Sequence, residues 1–264
     1  MDKLRDSMEE QSSRHLRVLQ VLEQLANASY PQTLAQLTQR TGLPKTTLMR
    51  MLNTLEQMAY VSKLPGAAGY TPGPRANHLA LSVIRTPHFL RACRAVLGKL
   101  VVITGESCNL TALSGDAVQY LARVETTEIL RLQLHLEIGV HVPLHCTASG
   151  KLFLACLPLR QQKQILDRIE LAALTPRTIT QREALVAELD RIRSQSMGID
   201  NEEFVQGMVA VSVPVLDAQD NVIAAVACHA PTARISLSRL AEFAPAMRRA
   251  ATEMSAVFLE TGQP

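Results

Sequence analysis

Residues 44–57, PKTTLMRMLNTLEQ, are the stretch on which the reading of the whole chain turns. Leu48, Met51, Leu52 and Leu55 recur at three- and four-residue spacing, which predicts a helix with one stripe against a core. Lys45, Thr46, Thr47, Arg50, Asn53 and Thr54 fall on its other face and in its first turn. Cations and hydroxyls suit phosphate oxygens, and Arg or Asn can read base edges in a major groove. Pro44 fits the first helical position, where a missing N–H costs nothing. Upstream, Thr41-Gly42-Leu43 has the make-up of a tight turn, and Thr33 can cap a short helix carrying Leu34 and Leu37. Helix, glycine turn and polar-faced helix is the order of a helix-turn-helix. An ordinary solvated surface helix has the same two faces, so this stretch alone leaves both readings open.

The distribution of charge adds to the first reading. The chain of 264 residues carries a net charge of only +3. Residues 11–75 hold seven Lys or Arg against Glu23 and Glu56, whereas residues 76–264 hold 18 basic and 18 acidic residues. The excess positive charge thus lies in the segment with the helix-turn-helix pattern, as a phosphate-binding module requires. Hydrophobic residues make up 47% of the chain, enough for a substantial core, and no apolar run approaches the roughly 18 residues of a membrane span. The first residues, MDKLRDSMEEQSSRH, are polar and lack a hydrophobic signal region, so a soluble, cytoplasmic protein is expected. Cys93, Cys108, Cys146, Cys156 and Cys228 show no CxxC spacing and read as free thiols.

Working outward, residues 1–11 read as disordered, and an apolar stripe from Leu16 to Ala26 predicts a helix behind the other two. Residues 60–64 and 70–71 read as two strands around Pro65-Gly66-Ala67-Ala68-Gly69, which would complete a winged helix-turn-helix with Lys63 near the wing tip. A connecting helix is expected at 75–85, and a longer one at 88–104. After Gly105 the period alternates. Strands are expected at 107–113 and 117–124 around Ser114-Gly115-Asp116, at 129–135, and at 209–216 and 222–229. Helices are expected at 149–157, 160–169, 181–196 and, unbroken, 236–260. The expected fold class is α+β: residues 12–74 as the winged helix-turn-helix, 75–87 as a linker helix, and 88–264 as a sensor-like α/β domain.

The residues resemble the IclR family of bacterial transcriptional regulators along nearly the whole chain. TGLPKTTLMRMLNTLEQMAYV (41–61) is similar to the family's recognition-helix block, and GYTPG (69–73) to the end of its wing. PLHCTASGKLFLA (143–155) resembles its small-residue turn into a helix, GIDNEEFVQGMVAVSVPV (198–215) its acidic turn into a strand, and VIAAVACHAPTARIS (222–236) its penultimate strand. The resemblance implies a homodimer on double-stranded operator DNA, and makes 88–264 a GAF/PAS-like α/β effector-binding and oligomerisation domain for a small, usually carboxylate-bearing metabolite, of a kind that often associates further into tetramers. Two departures stand out. Gly69 replaces the family's usual basic residue, and the strand that often ends in serine and glycine reads Ala227-Cys228-His229-Ala230.

The expected DNA contacts are Lys45, Thr46, Thr47, Arg50 and Asn53, with Lys63 on the wing. For the effector, small Ala148, Ser149 and Gly150 would let backbone N–H groups approach an anion at a helix start, although small residues also simply pack closely. The resemblance turns Asp200 toward the pocket; by itself the cluster with Glu202 and Glu203 reads as a solvated turn. Alternation sets Ala227 and His229 on one strand face with Cys228 on the other. The resemblance turns that face to the pocket, where His229 could donate to a carboxylate and charge beside it; a satisfied core histidine is the competing reading. Met208 and Ala210 are expected on the opposite wall, with Leu132 and Leu134 from the third strand. Such an apolar wall with one polar end suits an aromatic or short hydrophobic acid.

His135, His141, His145, Cys146, Cys228 and His229 are metal-ligand types in no standard zinc spacing, so no metal or other cofactor is expected. No nucleophile elbow, phosphate loop or dinucleotide fingerprint is present. A hydrolase built around Ser149 and a sensor without specific DNA affinity are the alternatives to a ligand-responsive regulator of a catabolic operon. In that regulator, ligand binding would reset the spacing of two winged helices through the 75–104 helices.

Overall fold

A computed structural model describes residues 16–26, 28, 30–64, 69–84, 86–127 and 139–260. The expectations for residues 1–11, for the tip of the wing at 65–68 and for a strand at 129–135, with Leu132, Leu134 and His135, lie outside these residues. The chain divides into two compact units, 1–84 and 85–264.

In the first unit, helix α1 (16–26) buries Val21 and Leu25 against α2 (Leu34–Thr41) and α3 (Lys45–Gln57). Thr33 caps α2 in a reciprocal box with Gln36, and Gly42 at φ 67° ends it in the left-handed conformation. Pro44 stands one position earlier than expected: it is the N-cap of α3, with no side-chain cap bond. Leu48, Leu52 and Leu55 seal α3 into a core with Leu37, Leu43, Val61 and Tyr70, while Met51 packs at its margin. Strands β1 (Val61–Leu64) and β2 (Gly69–Pro72) pair antiparallel, and a bridge from Gln32 to Tyr70 adds a third edge. Gly69 has φ +107°, and a Cβ there would lie 2.6 Å from the Gln32 carbonyl oxygen. Glycine at this departure from the family pattern is therefore a backbone requirement. Helix α4 (Pro74–Ile84) closes the unit.

The second unit is a six-stranded antiparallel sheet in the order β5-β4-β3-β8-β7-β6. Its strands are β3 (Ser107–Ser114), β4 (Ala117–Val124), β5 (His141–Pro143), β6 (Gly198–Asn201), β7 (Met208–Leu216) and β8 (Val222–Pro231). Helix α5 (Pro87–Thr104) packs on β3 and β4, and α10 (Ala244–Glu260) on β7, β8 and α5. Helix α6 (Ala148–Cys156) lies on β6, β7 and β8, with α8 (Arg182–Gln195) packed on it; α7 (Leu159–Leu166) joins the two helices. Alternation divides the sheet: the Thr104 hydroxyl on α5 lies 3.8 Å from Cys108 Sγ, so the neighbouring Asn109 faces the α6 side.

Three expectations need correction. The C-terminal segment is two helices, α9 (Leu237–Ala241) and α10, because Pro245 offers no N–H and its ring excludes continuation from the preceding turn. Strands β5 and β6 add two short edges to the expected set, since three or four residues carry too little alternation to register in a sequence. Val215/Leu216 and Leu110/Thr111 mark register shifts that simple alternation does not foresee.

Candidate DNA-binding face and effector cavity

On α3, Lys45, Thr46, Arg50 and Asn53 are exposed and Thr47 is half-buried. Leucines at 48, 52 and 55 fix the helix rotation, so the intervening polar side chains must face out. Lys45, Arg50 and Lys63 form no ion pair among the described residues, which leaves them available to phosphates. Lys63 is exposed on β1, its Nζ 5.9 Å from the centre of the Tyr70 ring. Thr54 spends its hydroxyl on the Arg50 carbonyl at 3.1 Å. Met49, 45% exposed, is an apolar member of this face that helical spacing alone does not single out.

In the second unit, the sheet face toward α6 is polar in two rows. Arg123 pairs with Asn109, Asn109 with Ala227, Ala227 with Ser212, and Ser212 with Gly198. In the next row Ser107 pairs with His229, His229 with Ala210, and Ala210 with Asp200. Alanines at 227 and 210 leave a hollow between the larger side chains. The first turn of α6 closes it, giving a cavity of about 30 Å³. Its lining includes Ala148, Ser149, Asp200, Met208, Ala210, Ala227 and His229, joined by Asn109, Thr111, Val118, Tyr120, Val142, Thr147 and Phe204.

Met208 and Ala210 do not stand across from His229 as expected. They lie on β7, hydrogen-bonded beside β8, and Ala210 is the direct register partner of His229. The facing wall is Thr147, Ala148 and Ser149. Gly150 is not at the cavity. Its N–H donates to Thr147 Oγ1 at 3.1 Å, and a Cβ would lie 2.3 Å from the Leu144 carbonyl oxygen. Its smallness serves packing, while Ala148 and Ser149 carry the first-turn N–H groups that a helix leaves without internal acceptors.

Asp200 is 1% exposed and accepts from the amides of Glu203 at 2.7 Å and Phe204 at 3.3 Å. Burial pushes its carboxyl up to about 7 despite those bonds. His229 Nδ1 lies 3.1 Å from Asn109 Nδ2, and Nε2 lies 3.4 Å from Arg123 Nη2. Burial, and then the Arg123 charge, push the imidazole down to about 3. It is therefore neutral here, and charging beside a carboxylate would have to overcome both effects. Behind the cavity, fully buried Lys151 on α6 bonds Glu203 at 2.5 Å and lies 3.5 Å from Glu188. The Thr178 hydroxyl donates to the Glu203 carbonyl at 2.6 Å, so the turn after β6 is held on two sides.

Asn109, Thr111 and Tyr120 are cavity-lining residues that sequence reasoning misses, as is Arg123, which lies against His229 without itself lining the cavity. Tyr120 and Arg123, three apart, both reach the α6 side because a bulge at Leu121 resets the alternation. The available signal is one arginine inside the otherwise apolar strand end YLARV.

His145 turns Nε2 to the Ala172 carbonyl at 3.0 Å, so it is not poised as a base for Ser149. Among the described residues no three His, Cys, Asp or Glu side chains gather to hold a metal. Nor is any helix among them long and apolar enough to cross a membrane.

The family profile described as the IclR helix-turn-helix domain matches residues 16–65, and that described as the bacterial transcriptional regulator IclR C-terminal domain matches residues 81–256. SauR of Cupriavidus necator, described as a probable transcriptional regulator, is 43% identical over 93% of this chain and 96% of its own length. A transcriptional regulator structure from Rhodococcus sp. RHA1 superposes with a TM-score of 0.63 at 27% identity, covering 94% of this chain and 99% of that one. The inducer-binding domain of the PobR transcription factor from Acinetobacter, a double mutant in complex with 3-hydroxybenzoic acid, superposes at 0.59 with 28% identity over 63% of this chain and 97% of its own. Polar recognition-type helix, antiparallel sensor sheet and these likenesses agree, and the chain belongs to the IclR family of bacterial transcriptional regulators.

Proposed function

We propose that this regulator grips a two-fold operator through the outer face of α3 and answers to a short carboxylate in the cavity under α6. The family is one of transcriptional regulators with a ligand-binding C-terminal domain, not of enzymes. The observation that carries the DNA assignment is that α3 commits its three leucines to the core while Arg50, Asn53, Thr46 and Lys45 remain outside. Arg50 and Asn53 read bases; Lys45, Thr46, Thr47 and Lys63 hold phosphates. Residues 12–74 form the DNA-binding domain, 75–87 the connection and 88–264 the effector domain.

Recognition of two half-sites requires a dimer or a tetramer. Leu79 and Val83 on α4, 54% and 51% exposed, and Leu16 and Leu19 on α1, 62% and 55% exposed, give the first unit apolar surface for that association.

The effector is an acid because the cavity joins an apolar wall to first-turn amides and buried polar side chains. PobR is described as an inducer-binding domain with an aromatic acid bound. At about 30 Å³ the cavity of this chain holds no more than a water or two, well short of the roughly 150 Å³ that admits benzene. Of the aromatic and short acids that fit the wall chemically, a short one is favoured, with a catabolic operon as the target. Effector control demands that the acid bind the DNA-bound and free forms with different affinity. A gel-shift titration of the full chain on its own upstream DNA, with and without short carboxylates, tests this. An acid-dependent change in affinity supports it; specific binding that no acid alters rejects the effector half, and absence of specific binding rejects the whole.

A further inference from the structure

Arg123, the register partner of the cavity residue Asn109, reaches across the sheet to the cavity residue His229, and its side chain is 8% exposed. Its Nε donates to Glu125 at 3.2 Å and Nη2 faces His229, but Nη1 is buried without a partner among the described residues. A buried guanidinium donor left unmade is costly, and a bound anion is one way to complete it.

The neighbouring side chains sharpen this. An arginine can only donate, so the His229 Nε2 that faces it must be the acceptor. A neutral imidazole accepting at Nε2 carries its proton on Nδ1. The Asn109 atom 3.1 Å from Nδ1 must then be the carbonyl oxygen, which reverses the amide. With Nδ2 toward the imidazole, Asn109 Oδ1 is the buried atom without a partner among the described residues; with the amide reversed, that place is taken by the NH₂ group. Asn109 and Arg123 are register partners on β3 and β4, so both unfilled N–H donors belong to neighbouring positions on one sheet face, and both side chains meet at His229. His229 orients both and donates to neither anion oxygen.

We propose that Arg123 is the anion anchor of the effector site: the ligand's carboxylate is held by Arg123 Nη1 and the Asn109 amide, while His229 serves as the neutral group that aligns them. This rests on the cavity being the effector site, and it replaces His229 by Arg123 as the source of acid selectivity. A paired N–H set of this kind matches the two oxygens of a carboxylate and discriminates against the isosteric amide, whose NH₂ would face donors.

The test is calorimetric titration of the full-length protein with acetate, propionate and benzoate, each beside its primary amide. Variants Arg123→Gln, Arg123→Lys and Ala227→Leu are compared, with circular dichroism melting as the check on folding. Wild type is expected to bind at least one acid more tightly than its amide. Arg123→Gln is expected to weaken that acid roughly 10- to 100-fold and to erase the acid-over-amide preference. Arg123→Lys, which keeps charge but not the planar donor set, is expected to lose about tenfold, and it decides the matter if the glutamine variant does not fold. Ala227→Leu fills the hollow and is expected to abolish binding of acid and amide alike. Acid affinity untouched by Arg123→Gln but abolished by Ala227→Leu overturns the anchor and leaves the effector site standing, as does an equal loss of acid and amide in Arg123→Gln. Acid binding that survives Ala227→Leu, or wild type that binds none of the acids at millimolar concentration, overturns the site and the anchor together.

Discussion

Replacing Asp200 by asparagine probes whether the cavity carries a carboxyl that burial keeps partly protonated. Asp200 is 1% exposed and titrates at about 7 in the folded chain, against an ordinary value of 3.8. Between those values the folded state binds a proton that the unfolded chain has released. The contribution is therefore complete below about pH 4 and disappears as pH rises through 7. Each pH unit is worth about 1.4 kcal/mol, so the whole window amounts to about 4 kcal/mol, and the span from pH 5 to 8 to about 3. The asparagine side chain keeps an oxygen to accept the Glu203 and Phe204 amides and has no proton to lose. Relative to wild type, Asp200→Asn should gain stability with rising pH, by about 3 kcal/mol between pH 5 and 8. Urea-dependent hydrogen exchange followed by mass spectrometry, read on β7 and β8 peptides, measures this for the second unit separately. A mutant-minus-wild-type stability difference that stays constant or falls as pH rises would show that the Asp200 charge is itself stabilised, by Lys151 for example, and would refute the reasoning.

Three further substitutions probe other parts of the structure. Lys151→Met strands buried Glu203 without its cation, while Glu188 keeps Arg191 at 2.5 Å, and should cost about 3–5 kcal/mol at pH 7. Burial already raises the Glu203 carboxyl, so protonation should shrink this loss at pH 5; a urea series giving the same loss at both pH values counts against it. Gly69→Ala places a Cβ 2.6 Å from the Gln32 carbonyl at φ +107°, and should destabilise the first unit by about 2 kcal/mol or more, checked by exchange in β2. Leu79→Asp combined with Val83→Asp should convert a dimer to monomers in sedimentation velocity, and an unchanged sedimentation coefficient would exclude α4 from the interface.

The helix-turn-helix was legible because its signals are local. Thr33 and Gln36 form a cap within one turn, Gly42 supplies a left-handed stop, and Leu48, Leu52 and Leu55 repeat along a single helix. The sensor domain was legible as alternating strands, and the positions of Ala227 and His229 on one face followed from that period. Arg123 was not, because its orientation depends on the bulge at Leu121, a consequence of pairing between strands. The same is true of His229: its neighbours along the strand are apolar, whereas the burial that holds it neutral, and then the Arg123 charge, come from packing and pairing between elements. Gly150 misled for a related reason. A glycine at a helix start suits an anion as well as tight packing, and only the Leu144 carbonyl behind it decides between them.

The central claim is that the outer face of α3 reads DNA. Repeated selection from a pool of random duplexes by the full-length protein, with fluorescence anisotropy on the winning sequence, tests it most directly. The account predicts that wild type enriches a two-fold symmetric motif and that Arg50→Ala loses roughly 10- to 100-fold affinity for it with relaxed preference at one position in each half-site. Selection of the same motif by Arg50→Ala, with undiminished affinity, would contradict the account.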